Sequence, residues 1–247
     1  MSSLKLGIMQ PYFFPYLGYF QLMNSVDRWI VFDDIQFIDK GWINRNRILH
    51  PEPVKEWQFI TLPLENRGQF DKICDITIAS NEDWRAQILG KLTCYRRAPY
   101  YKQTIDFLRD CFDTNETNLA KIVTSILIKT ARHIQIDTPI DIQSKMNLTL
   151  GKVDHPGHWA LKISQVYGAK EYVNPYGGVE IFSTSEFTDA GIRLSFLKAG
   201  LIPYPQHGVK FIAGLSIIDV LMFNSLSQIN ILLDQCEVIS SDTMKSF

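Results

Sequence analysis

The run Leu4–Asp34 constrains the fold more than any other stretch of the chain. Four apolar residues, Leu6-Gly7-Ile8-Met9, stop at Gln10-Pro11. A short aromatic loop, Tyr12-Phe13-Phe14-Pro15-Tyr16, leads into an amphipathic segment that begins Leu17-Gly18-Tyr19-Phe20. A second apolar run, Trp29-Ile30-Val31-Phe32, ends on Asp33-Asp34. Strand, loop, helix and strand in that order predict a βαβ unit, whose parallel strands need a helical crossover. The expected fold class is therefore α/β, an open, largely parallel sheet of HUP- or Rossmann-like pattern. Ligands of such sheets sit at the carboxyl ends of the strands. That rule makes Gln10, Pro11, Tyr12, Asp33 and Asp34 candidate site residues.

The chain has 247 residues, and 46% of them are hydrophobic, enough to bury a core. The expected organisation is one α/β domain over 1–247, with 80–135 as a helical annex. A formal net charge of −1 lacks the basic excess of a nucleic-acid binder. Cys74, Cys94, Cys111 and Cys236 form no CxxC pair, so neither a zinc knuckle nor a dithiol redox centre is expected. No secretory leader pattern stands at the N-terminus, and no apolar run approaches the ~20 residues of a membrane span. The expectation is a cytoplasmic protein without membrane insertion.

After Asp34, the residues Trp42, Asn44, Arg45, Asn46 and Arg47 crowd together. Arginine suits anionic oxygen, asparagine suits hydroxyl or amide, and tryptophan stacks on a sugar or base. The competing reading is a twisted hairpin whose Asn and Arg side chains satisfy backbone groups. Glu56–Leu62 and Ile73–Ala79 read as strands. Ser80-Asn81-Glu82-Asp83 supplies capping side chains for a helix over Trp84–Arg97, followed by helices near Tyr100–Cys111 and Leu119–His133. A short strand is expected over Pro139–Ile142, a helix over Trp159–Tyr167 and a strand over Lys170–Asn174. That strand runs into Pro175-Tyr176-Gly177-Gly178, where adjacent glycines let backbone N–H groups face a ligand. A late strand, Ile192–Phe196, precedes a helix over Ile217–Phe223 capped by Ser216. His155 and His158 look like a metal pair, but Pro156-Gly157 lies between them and only Asp154 is near in sequence. No metal site is expected. Asp154 reads as the helix cap, or the helix start receives an anion with help from Lys152.

The run MQPYFFPYLGYFQL, the following DDIQFIDKGWINRNRIL, Asn174–Gly178 and Leu215-Ser216-Ile217-Ile218-Asp219 together resemble the WbqC-like family of bacterial proteins. The resemblance covers most of the chain. It implies a role in making or decorating O-antigen and other surface polysaccharides, with glycyl transfer as one lead. At the level of pattern, the first unit also resembles HUP nucleotidyltransferases. Their H-x-G-H motif would fall on Pro15-Tyr16-Leu17-Gly18-Tyr19, where the glycine is kept and both histidines are missing. Adenylyl transfer by a histidine mechanism is therefore not expected.

Three functions follow from these residues and the resemblance. The first is a transferase or ligase adding an acyl or aminoacyl group to a nucleotide-linked amino sugar, with ATP and Mg²⁺ if the reaction is a ligation. Asp33 or Asp34 would be the base. Gln10, Pro11, Tyr12, Gly18, Trp42, Asn44, Arg45, Arg47, Asn174, Gly177 and Gly178 would bind the substrates. The second is a glycosyltransferase, although adjacent aspartates match a metal-holding DxD poorly. The third is a non-catalytic sugar-binding or assembly protein.

Overall fold

The computed structural model describes residues 4–79, 81–206 and 210–244. The chain opens as expected: β1 (Lys5–Met9), α1 (Leu17–Asn24) and β2 (Arg28–Val31). β1 and β2 pair in parallel with Leu6 opposite Arg28 and Met9 opposite Val31. Gly7 permits this pairing to be tight, because a Cβ there would stand 2.7 Å from the ring of the fully buried Trp29. Helix α1 is buried over Leu17–Met23. A helix apolar on all sides lies inside the molecule, and the polar Gln21 survives there because its amide donates to the carbonyls of Gly200, Leu232 and Gln235.

Next come a hairpin, β3 (Arg45–Leu49) and β4 (Trp57–Thr61), and three helices, α2 (Trp84–Lys91), α3 (Tyr101–Phe112) and α4 (Leu119–His133). Strand β5 (Ile140–Ile142), α5 (Pro156–Val166), β6 (Glu171–Pro175), α6 (Thr184–Asp189) and β7 (Arg193–Ala199) follow. The chain closes with α7 (Ile217–Phe223), α8 (Leu226–Leu233), β8 (Cys236–Ser240) and α9 (Ser241–Met244). The main sheet has the order β5-β2-β1-β6-β7-β8. Its first five strands are parallel and β8 runs antiparallel on β7. The fold class is thus α/β with a mostly parallel six-stranded sheet.

Side chains alternate across the strands, so the sheet separates two cores. Trp29, Val31, Val173 and Leu197 point into one, shared with α1, the hairpin and helices α2–α4, α7 and α8. Ile30, Tyr172 and Phe196 point into the other, beneath α5 and α6. The central helices have no separate core: Trp84, Leu108, Val123 and Ile126 belong to the same apolar cluster as Phe20 and Trp29.

Several local expectations change. Ile73–Ala79 is not a strand but a single 3₁₀ turn, Ile73–Asp75, followed by isolated bridges. Its backbone finds scattered partners, Ile35 and Thr117 among them, rather than one neighbouring strand. The helix from Trp84 stops being α-helical at Lys91 and continues as a 3₁₀ turn to Tyr95. Its cap is Asp83, which accepts from Ala86 N at 3.1 Å; Ser80 lies outside the described residues. Helix α5 starts three residues earlier than Trp159, and its cap is His155 rather than Asp154. Helix α8 and edge strand β8 complete the C-terminal region. The α8 start carries a reciprocal capping box between Ser225 and Gln228. No helix among the described residues is long and apolar enough to cross a membrane, and the four cysteines are free thiols.

Candidate binding site

Strands β1 and β6 lie side by side, with Leu6 opposite Tyr172 and Gly7 opposite Val173. From β1 the sheet grows toward β2, and from β6 it grows the other way toward β7. Between them is the topological switch point, where the two connections diverge and leave a crevice at the carboxyl ends. A cavity of about 750 Å³ occupies that place. Gln10 after β1 and Asn174 and Pro175 at the end of β6 line it, with Ile8, Met9 and Tyr12. Phe32, Ile35, Gln36 and Ile38 add to the lining. Val153–Pro156, Trp159, Gly177, Gly178, Ile181 and Phe182 line it as well.

The walls are rigid for identifiable reasons. Asn174 is buried, accepts from the Tyr172 hydroxyl at 2.8 Å and donates to Pro175 O at 3.0 Å. Burial pushes the Tyr172 phenol far above its usual range, so it stays a donor. Gly178 has no room for a Cβ, which would collide with the Asn174 amide nitrogen. A Cβ on Gly157 would stand 2.6 Å from Ile181 O, so the α5 start and the 176–181 turn can touch only through glycine. Phe32 and Trp159 pack at 5.8 Å between ring centroids, and Tyr172 and Phe182 at 5.5 Å. Among the described lining residues, Asp154 and His155 supply the carboxylate and the imidazole, and no lysine or arginine contributes.

The loop between Gln10 and Tyr16 is held from below by the other motif segments. Phe14 adopts a positive φ of 43°, a costly conformation for a bulky residue. Asn46 donates to the carbonyls of both Phe13 and Phe14, and Ser216 donates to Phe14 O. Asp219, buried next to these, accepts from the hydroxyls of Tyr95 and Tyr204 and from the Gln206 amide. Burial pushes its carboxyl up to about 6, against the lowering effect of those three donors.

The structure divides the expected site residues. Gln10, Tyr12, Asn174, Gly177 and Gly178 line the one cavity. Pro11 is buried next to Gln10 but is not part of the lining. Asp33 is turned away: it is 3% exposed and caps the turn after β5, accepting from Ser144 N at 2.9 Å and Ser144 Oγ at 2.6 Å. It lines a different cavity of about 510 Å³, together with Asn118, Arg132 and Lys145. Asp34 is half-exposed and pairs with Lys72 at 2.7 Å. Asp33, Asp34 and Arg45 thus lie outside the cavity that Gly177 lines.

The hairpin residues satisfy the chain itself. Asn44 donates to Leu62 O. Arg45 donates to the carbonyls of Lys40 and Gly41 and lies over the Phe59 ring. Arg47 donates to Gly214 O and lies between the rings of Trp42 and Trp57, 5.3 and 5.2 Å from their centroids. Gly18 is a packing position: a Cβ would strike the Tyr16 ring and come within 2.7 Å of Ala199 Cβ. Sequence reasoning missed Phe32, Gln36, Trp159, Ile181 and Phe182 as cavity residues. It also missed Glu186, whose carboxylate lies against both His155 and His158.

The WbqC-like protein family model matches residues 10–231. The chain belongs to this family. The matched range takes in every lining residue of the cavity except Ile8 and Met9. An uncharacterized protein of Mycobacterium tuberculosis is 27% identical over 223 residues, which cover 89% of this chain and 93% of that protein. No solved structure matches the chain.

Proposed function

We propose that this WbqC-like chain binds a nucleotide-linked amino sugar in the cavity at the β1–β6 switch point and adds a small acyl or aminoacyl group to it, as a step in surface-polysaccharide biosynthesis. The observation that carries the reading is the cavity's position and lining. It stands at the carboxyl ends of two parallel strands where the sheet order diverges. Its volume falls in the range of small-molecule sites, roughly 300–1,000 Å³. Aromatic faces from Phe32, Trp159 and Phe182 suit a base or a sugar ring. The side-chain amides of Gln10 and Gln36 suit hydroxyls and carbonyls. The family membership supports the pathway.

One observation favours a second reading, binding without turnover. Neither Asp33 nor Asp34 reaches the cavity, so the expected carboxylate base is not at the bound molecule. If transfer occurs, deprotonating the acceptor falls to Asp154, the carboxylate among the described lining residues. The test is incubation of the purified full chain with a panel of nucleotide amino sugars, acyl and aminoacyl donors, with and without ATP and Mg²⁺. Thermal shift reports binding and mass spectrometry reports products. A shift with a product of increased mass is the expected result. A shift with no product under any donor condition supports the second reading. No shift with any nucleotide sugar overturns both.

A further inference from the structure

The start of α5 brings together three side chains that the cavity alone does not explain. His155 precedes the helix and His158 lies in its first turn. Pro156-Gly157 between them makes the turn that brings the rings together, with centroids 3.9 Å apart and planes tilted by 41°. Glu186, from α6, places a carboxylate oxygen 3.1 Å from Nε2 of His155 and 3.1 Å from Nε2 of His158. One donor atom from each residue lies within 4.8 Å of the others. All three side chains are part-buried, with exposures of 36%, 18% and 33%.

We propose that His155 Nε2, His158 Nε2 and the Glu186 carboxylate form a binding site for a zinc-type divalent cation. Two imidazoles and one carboxylate are a donor set that such ions take with a fourth position left for water or substrate. Ligands about 2.0–2.1 Å from a tetrahedral ion lie roughly 3.3 Å from one another. The two 3.1 Å imidazole–carboxylate spacings are near those of a loaded site, and the third lies within 4.8 Å. In the metal-free arrangement the Nε2 protons face Glu186. Each Nδ1 accepts a long backbone N–H bond, 3.2 Å from Gly157 for His155 and 3.3 Å from Asp154 for His158. Cation binding needs each ring proton on Nδ1 rather than Nε2, a tautomer change with no net proton transfer in a neutral ring, and it gives up the two backbone N–H bonds to Nδ1 in exchange for the metal bonds. At His158 the Asp154 carboxylate stands 3.7 Å from Nδ1 and would accept that proton on closing by a few tenths of an ångström. Lys152 holds the other oxygen of Asp154 at 2.7 Å. His155 also lines the cavity, so the cation stands at its rim with the fourth position open to water or to an oxygen of the occupant.

The experiment uses the full chain and the metal alone. Protein stripped with a chelator and dialysed is titrated with Zn²⁺ by calorimetry and with Co²⁺ by visible absorption. The site predicts one equivalent bound and the absorption bands of low-coordinate Co²⁺. His158→Ala and Glu186→Gln should each weaken Zn²⁺ at least about tenfold and remove the bands. Circular dichroism and the unfolding midpoint show whether each variant is folded. Glu186→Gln retains the size of the side chain should His158→Ala not fold. No stoichiometric binding by the parent chain, or equal binding by a folded variant, overturns the site and leaves the trio a hydrogen-bonded cap. Because no nucleotide sugar is present, this result is independent of the cavity's occupant.

Discussion

Replacing Asp219 by asparagine should change how stability depends on pH. The carboxyl is fully buried and accepts three hydrogen bonds, from Tyr95 at 2.8 Å, Tyr204 at 2.6 Å and Gln206 at 2.6 Å. Burial nevertheless outweighs them and raises its pKa to about 6. An unfolded aspartate titrates near ~3.9. Between those values the native state holds a proton that the unfolded state has lost. Stability from this group is therefore fully present below about pH 4 and is lost as pH rises through about 6. The whole shift corresponds to about 3 kcal/mol, and the part that falls between pH 5 and pH 7 is about 1 kcal/mol. Asparagine keeps the shape and cannot titrate. One of its amide hydrogens meets donors, a cost that is the same at both pH values and cancels in the comparison. Urea unfolding of parent and Asp219→Asn at pH 5 and pH 7 gives the required double difference. The parent should gain about 1 kcal/mol over the variant on going from pH 7 to pH 5. A double difference near zero, or one of opposite sign, would refute the argument that burial dominates at this carboxylate.

The two aspartates after β2 should behave differently in the same assay. Asp33→Ala removes both bonds to Ser144 and should cost about 1–3 kcal/mol, whereas Asp34→Ala loses one exposed pair with Lys72 and should cost under about 1 kcal/mol; equal costs would contradict the capping role of Asp33. Gly18→Ala should destabilise by about 1–3 kcal/mol through overpacking against Tyr16 and Ala199, and an unchanged unfolding midpoint would show that α1 can shift to make room.

The first βαβ unit was legible from its order of apolar runs around a proline-marked loop, and β1–α1–β2 follow at the expected residues, although α1 is buried on every side rather than amphipathic. Period revealed α4, whose bounds Leu119–His133 match the pattern. The site was legible by edge and not by face. Gln10, Asn174 and Asp33 all lie at carboxyl ends, but neighbouring strand residues point to opposite faces. Phe32 therefore faces the cavity while Asp33 faces α4 and the 143–145 turn. The arginines and asparagines of β3 looked like ligand-binding groups because their composition is that of one. The partners of Asn46 and Arg47, the carbonyls of Phe13, Phe14 and Gly214, are remote in sequence, while Arg45 turns back on the carbonyls of Lys40 and Gly41. Glu186 was hidden for the same reason, 28 residues beyond His158. Strand β8 escaped because Cys236–Ser240 is a short edge strand with no buried residue and hence no strong alternation.

Gly177 tests whether the β1–β6 cavity holds the protein's ligand. It lines the cavity, and a Cβ built there meets no other atom within 4 Å. Gly177→Leu should therefore intrude on the open space without disturbing the core. The measurement is the dissociation constant of the nucleotide amino sugar that gives the largest thermal shift, by calorimetry, for parent and variant, with unfolding midpoints alongside. Binding should weaken at least about tenfold, or about 1.4 kcal/mol, at an unchanged midpoint. Equal affinity in a folded Gly177→Leu variant would contradict that placement and move the ligand elsewhere on the molecule.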